Sequence, residues 1–178
     1  MSNKIITITG HLGSGKSTIA QMLADQMGWF YYSTGMAQRT IAEKRGISTT
    51  ALNRLAISDP TIDYEIDAVF KNPPWGKKPC VVDSRLAFHF IPNSFKVCLR
   101  VEPMVAAERV FKAKRANENY KNVQEAAEYL KKRRQLEKKH FIQNYSVDVD
   151  DDSQFDLIID TTSLTPKQVC QRIIKALD

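Results

Sequence analysis

Residues 10–17 read Gly-His-Leu-Gly-Ser-Gly-Lys-Ser, and their position leaves few folds open. Ahead of them runs apolar Ile5–Ile6–Thr7–Ile8; behind them Ile19, Leu23 and Met27 recur at helical spacing. A buried strand over 4–9, a glycine-rich turn and a crossover helix over 16–27 make a P-loop. Gly10, Gly13 and Gly15 permit backbone shapes that a Cβ would obstruct, so successive N–H groups can surround a phosphate. The helix that follows adds unpaired N–H groups and the positive end of its dipole. Ser14, Gly15 and Thr18 are expected in that cradle, Lys16 on the β- and γ-phosphates of ATP, and the Ser17 hydroxyl on magnesium. A plain glycine turn explains the glycines but not Lys-Ser in this register. The motif alone does not separate a motor, a switch and a small-molecule kinase.

The 178 residues suit one domain, and 43% hydrophobic with 26% charged residues is an ordinary soluble balance. A net charge of +6 fits nucleic acid as well as a small anionic substrate, so it does not choose between them. Cys80, Cys98 and Cys170 form no close pair and sit in apolar patterns, which reads as core thiols in a reducing compartment. Met1–Ser2–Asn3–Lys4 runs straight into the first strand, and no stretch is apolar enough to span a bilayer. The expectation is a cytoplasmic monomer that needs neither membrane nor nucleic acid.

Further along, Trp29–Phe30–Tyr31–Tyr32 reads as a short strand, and Ser33–Thr34–Gly35 turns into a helix that Gly46 stops. Two short helices over 49–57 and 60–70 follow, the second opened by Pro60 after Asp59. That block is too large for a plain crossover and suits an inserted region over the phosphate site. Trp75 reads as a packed anchor in a turn. Strands are expected at Cys80–Asp83, at 95–99 and at 155–160, with helices from Pro103 and from Pro166. Between 112 and 143 a basic segment retains Ala126, Ala127, Leu130 and Leu136 at spacings that allow a paired helical lid. Residues 148–152 read as an acidic connection. Five strands separated by helices give an α/β fold in three layers around a parallel sheet.

Phosphoryl transfer to a second anion needs positive groups around the moving phosphoryl. Arg39 lies on the helix after Ser33–Thr34–Gly35, and Arg85 follows the third strand at the carboxyl end of the sheet. The basic segment adds Arg133, Arg134, Lys138 and Lys139, with Lys114 and Arg115 before them. Each could equally face solvent; their grouping around a P-loop favours Arg39, Arg85 and Arg133. Asp83 ends an apolar strand and is a candidate for the magnesium shell or for a turn cap. The three histidines form no metal-ligand cluster.

Gly10–Thr18, Tyr32–Ser33–Thr34–Gly35 with Arg39, Val81–Val82–Asp83–Ser84–Arg85–Leu86–Ala87 and Phe155–Thr162 with Leu164–Thr165–Pro166 together resemble the cytidylate kinase family, especially its short archaeal-type members. The resemblance implies a nucleoside monophosphate kinase fold in one domain. Its core would be 1–33, 77–111 and 144–178, its nucleoside monophosphate-binding region 34–76 and its lid 112–143. It implies transfer of the γ-phosphoryl of ATP, with Mg2+, to CMP or dCMP. By that pattern Ser33, Gly35, Arg39 and Arg85 bind the acceptor, Arg133 acts in catalysis, and Glu137 orients a cation or the cytosine end. The chain departs from the pattern at His140 for an arginine, Ser84 for a glycine, and His11 and Leu12 in the loop. A shikimate-like or dephospho-coenzyme-A-like kinase is the neighbouring reading. A P-loop regulatory or RNA-binding NTPase is the reading from another class, although no Asn-Lys-x-Asp guanine-reading segment is present.

Overall fold

The first strand, β1 (Ile5–Gly10), runs through the middle of the sheet, with Ile6, Thr7 and Ile8 almost wholly buried. A strand covered on both faces reads as a continuous apolar run, as this one does. The computed structural model describes residues 4–56, 59–113 and 120–177. Met1–Ser2–Asn3 and the lid candidates Lys114, Arg115 and Glu118 lie outside the described residues.

The chain then forms α1 (Lys16–Met27), β2 (Phe30–Ser33), α2 (Thr34–Lys44), α3 (Thr49–Ala56) and α4 (Pro60–Asp67), the last followed by a single 3-10 turn over Ala68–Phe70. It continues with β3 (Cys80–Asp83), a short α5 (Ala87–Phe90), β4 (Phe95–Arg100), α6 (Pro103–Lys112), α7 (Val123–Tyr145), β5 (Leu157–Asp160) and α8 (Pro166–Leu177). The five strands are all parallel, in the order β2-β3-β1-β4-β5. Winding reverses around β1, so its carboxyl end opens into the crevice where open α/β sheets take ligands. Helices α1 and α8 cover one face through Ile19, Leu23, Val169 and Ile173, which pack on Ile6, Ile8, Val97 and Leu99. Each such side chain stabilises the fold by about 1.5–3 kcal/mol. Helices α2, α3 and α4 enclose a small core of their own around Ile41, Leu52 and Ile62.

Several details differ from the sequence expectation. The second strand begins at Phe30, because Trp29 N–H still bonds Ala24 O behind the left-handed Gly28 that ends α1. The last strand begins at Leu157; residues 152–154 form a 3-10 turn capped by Asp151, and Phe155 leaves the sheet to pack on Phe88. Within 120–143 there is no second lid helix: α7 runs unbroken for 23 residues, and its packing partner is α6, through Val110, Ala126 and Leu130. Asn122 starts α7 by accepting from Glu125 N–H, and Ser146 ends it at φ 57. The short α5 was not anticipated. Trp75 is buried against Tyr32, as a turn anchor should be. All three cysteines are buried, and burial pushes the Cys80 thiol up to about 12, which keeps it unreactive. No helix among the described residues is long and apolar enough to cross a membrane.

Gly10 carries a constraint beyond the P-loop. At φ 138, a Cβ there would lie 2.0 Å from Leu99 O, on the backbone of β4. Gly46 also has a positive φ, 64, but open space where a Cβ would go. Gly10→Ala should therefore lose about 3 kcal/mol or more, while Gly46→Ala should lose only about 1–2 kcal/mol. Urea unfolding of the two variants measures this, and equal losses would remove the close approach as the cause.

Candidate active site

The P-loop leaves β1 at Gly10, and His11 N–H bonds Leu99 O at 2.8 Å. Gly13 lies against Ala106 of α6, and Gly15 caps α1 at φ 86 with no side chain to satisfy the first N–H groups. Ser14 N–H bonds His11 O at 3.3 Å, and residues 15–18 present the unpaired donors of a helix start. Lys16 folds back over the loop, its Nζ donating to Gly10 O at 3.0 Å and His11 O at 2.9 Å. Ser14 Oγ is buried without a hydrogen-bond partner. Thr161, at the end of β5, braces the loop from behind. Its hydroxyl donates to Arg100 O at 2.9 Å, with Ser14 O at 3.2 Å as alternative acceptor, and accepts from Arg109 Nη1 at 3.2 Å.

Asp83 ends β3 opposite Ile8 of β1 and Ser33 of β2. Ser17 Oγ donates to Asp83 Oδ2 at 2.6 Å, and the hydroxyls of Ser33 and Tyr31 lie at 3.4 and 3.5 Å from the same oxygen. A carboxylate and a hydroxyl at the foot of a P-loop are hard oxygen donors of the kind Mg2+ takes, with phosphate and water completing its shell. Ser33 also caps α2 by accepting from Gly35 N–H at 3.2 Å. Thr18 lies on the exposed side of the first turn of α1.

The arginines fall into two settings. Arg85 and Arg133 converge on one carboxylate, Glu137: Arg85 forms a close ion pair with it, and Arg133 Nε donates at 2.9 Å. Burial pushes the Glu137 carboxyl up, but the two guanidiniums outweigh burial and hold it below the usual range. Lys16 feels the same cluster. Burial first, and then the Arg85 charge, bring it down to about 8, despite Asp83 and Glu137 nearby. Lys16, Asp83, Arg85, Arg133 and Glu137 thus form one electrostatic unit. Arg39 stands apart on α2, exposed, with its guanidinium over Gly35 and its charge reaching Tyr31.

Helix α7 ties this unit to both neighbours, because positions three and four apart share a face. Arg133, Glu137, His140 and Asn144 form one stripe. From it, His140 Nε2 lies 2.7 Å from Asp63 Oδ2 on α4. Tyr145 donates to Asp67 at 2.5 Å, and burial pushes Asp67 up to about 6 even so. On the adjacent stripe, Arg134 and Lys138 meet Asp150 at 2.7 and 3.0 Å. Thr161, Asp63 and Asp150 were not singled out from the sequence. Thr161 looks like any strand residue, and Asp150 lay in a run read as a connector. Among the described residues no three His, Cys, Asp or Glu side chains group as a metal cage.

The lowered titration of Lys16 has a definite sign. Unfolding takes up a proton between the folded value of about 8 and the ordinary 10.5, so the cost of burying this charge is full below pH 8 and is relieved as pH rises through that window. Wild type should gain stability relative to Lys16→Met between pH 8 and 10.5. Urea midpoints of the pair at pH 7, 9 and 10 read this directly, and parallel curves would put the ammonium in water.

Comparison with known proteins gives this geometry its context. A family model described as the cytidylate kinase-like family matches residues 5–163. A cytidylate kinase of Methanothrix thermoacetophila is 37% identical over 157 residues, covering 88% of each chain. An S-adenosylmethionine-dependent nucleotide dehydratase of Lacinutrix mariniflava is 34% identical over 171 residues, or 96% of this chain. This chain spans only about a third of that protein, 35% of its length. A shikimate kinase structure from Bacteroides thetaiotaomicron superimposes with a TM-score of 0.68 over 98% of both chains, at 16% identity, which shows the fold alone. With the family model matched along most of its length, the chain belongs to the cytidylate kinase-like family.

Proposed function

We propose that this chain transfers the γ-phosphoryl group of ATP to a nucleoside monophosphate, CMP or dCMP first among them. A P-loop kinase-like phosphotransferase acting on a small phosphorylated substrate is the broader class. The observation that carries the narrower reading is the convergence of Arg85 and Arg133 on Glu137 beside Lys16. An alcohol acceptor must lose a proton, so a kinase for a hydroxyl needs a free carboxylate base. Here Asp83 is engaged by Ser17, and Glu137 is clamped by two guanidiniums that make it a weak base. A phosphate acceptor arrives with its nucleophilic oxygen already ionised and needs cations instead. The names of the Methanothrix and Lacinutrix relatives, a cytidylate kinase and a nucleotide dehydratase, point to nucleotides as well.

In this reading the N–H groups of Gly13 and of 15–18, with Lys16, hold the donor phosphates. Ser17 and Asp83 would hold Mg2+, which would supply charge neutralisation for the donor phosphates when bound. Arg39 and Arg85 grip the acceptor phosphate from two sides, near Ser33 and Gly35, their planar forks matching its oxygens. An acceptor oxygen bonds the γ-phosphorus as its bond to the β–γ bridging oxygen breaks, and ADP leaves without a proton transfer. Arg133 stabilises the charge on the moving group. Glu137, displaced from Arg85 by the acceptor phosphate, turns to the acceptor's far end. Residues 34–76 and 112–143 act as acceptor region and lid on the core, and closure excludes water from the transfer.

ADP release in the presence of CMP, dCMP, UMP, AMP, shikimate and gluconate tests the acceptor. CMP or dCMP should give the fastest turnover; turnover with an alcohol alone, or stimulation by RNA alone, would replace this reading. Lys16→Ala should cost at least about 3 kcal/mol in transition-state free energy. Arg39→Ala and Arg85→Ala should raise the CMP KM more than the ATP KM, with lysine recovering only part. A defect confined to ATP in both would reject their placement.

A further inference from the structure

Three aspartates of the 148–152 turn each take a cation beside the P-loop. Asp152 pairs with Arg100 at the end of β4, Asp148 lies 3.0 Å from Lys138 Nζ, and Asp150 holds both Arg134, at 2.7 Å, and Lys138. Arg134 reaches further than the others: its Nη1 lies 3.3 Å from His11 Nδ1, inside the phosphate loop itself. The same Nδ1 lies 3.4 Å from Val101 O, which can only accept, whereas a guanidinium can only donate, so His11 receives Arg134 in the tautomer that carries its proton on Nε2. Burial, and then the Arg134 charge, lower His11 from its usual range, in keeping with that state. Arg134, Asp150, His11, Gly10, Thr9 and Arg85 line one narrow cleft above the loop.

We propose that Asp150 is a positioning residue for the donor nucleotide, fixing Arg134 against the P-loop at His11 so that the remaining N–H groups of the guanidinium meet the donor polyphosphate. Asp150 binds Nη2 and His11 takes Nη1, which immobilises a long side chain before the ligand arrives. Free arginine carries considerable rotamer entropy, and a side chain already fixed loses less of it on binding. Each Asp150 oxygen serves one cation, Oδ1 for Arg134 and Oδ2 for Lys138, so neither is drawn away from the other. The turn is itself held in shape, since Asp150 N–H bonds Asp148 Oδ1 at 3.0 Å and Gln154 Nε2 bonds Asp148 O at 2.7 Å. The proposal rests on the donor being a nucleoside triphosphate at the P-loop and does not depend on which acceptor is used.

Calorimetry with Mg2+ and a non-hydrolysable ATP analogue, in the absence of acceptor, tests it on the full chain. Arg134→Gln and Asp150→Asn should each weaken binding about tenfold, and the double variant should be no weaker than either alone. Asp152→Asn removes the same charge from the same turn and should stay within about twofold. Asp150→Glu, which keeps the carboxylate, should retain most of the affinity and guards against a folding defect in the asparagine variant. In turnover assays the ATP KM should rise with the CMP KM unchanged. Wild-type affinity in Asp150→Asn, multiplied losses in the double variant, or an equal loss in Asp152→Asn would overturn the proposal. Analogue binding without CMP turnover would overturn only the acceptor reading, and no analogue binding by wild type would overturn both.

Discussion

The approach of Gly10 to the backbone of Leu99 is the contact on which the rest depends. Where β1 stops pairing with β4, the chain has to turn out of the sheet without losing its grip on it. His11 N–H keeps one bond to Leu99 O, and the missing Cβ at Gly10 lets the two backbones come that close. From there the direction of α1 follows, and with it the positions of Lys16 and Ser17. Thr161 performs the matching service from the end of β5, so two neighbouring strands on the same side of β1 hold the loop from below. A phosphate cradle built on unpaired N–H groups works only if those groups are held still, and here a five-stranded buried sheet holds them.

Helix α7 solves an opposite problem, which is how to keep several cations together without a ligand. Arg85 and Arg133 would repel each other beside Lys16 were Glu137 not between them. Arg134 and Lys138 would do the same without Asp150. Glu137, shared by two guanidiniums beside Lys16, leaves net positive charge for an anion, whereas Arg134 and Lys138 are balanced by Asp150 and Asp148; both arrangements keep the side chains ordered. The pairs are partly exposed, so their contribution to stability is small. Their value lies in geometry. The same helix also reaches α4 through His140 and Tyr145, so core, α2–α4 block and basic helix are mechanically joined through one rod.

His140 shows how a departure from a family pattern can become intelligible in three dimensions. In the sequence it stands where an arginine is expected. In the structure it faces Asp63, whose carboxyl is pushed up by burial and lowered again by the imidazole. A shorter imidazole stands there instead of a guanidinium, 2.7 Å from an acidic partner on α4. Neither residue is informative alone, because the two lie on helices far apart in the sequence.

The sequence by itself determined the five strands to within a few residues, most of the helices, the P-loop and the family. Local rules act over a few residues, and these segments obey them: apolar runs for buried strands, Pro60, Pro103 and Pro166 at helix starts, glycines where φ turns positive. Lys16, Ser17 and Asp83 were legible because strand, turn and helix hold them in a fixed relation to the motif. Tertiary structure decided what distance along the chain conceals. It made one 23-residue helix of Val123–Tyr145, set Glu137 between two arginines, and turned an acidic connector into the partner of Arg134 and Lys138. It also placed Arg39 apart from the other arginines, on the α2 side of the crevice. Charge pairing between remote segments leaves no period or spacing in the sequence, since any exposed Lys or Arg looks alike until the fold supplies its neighbour.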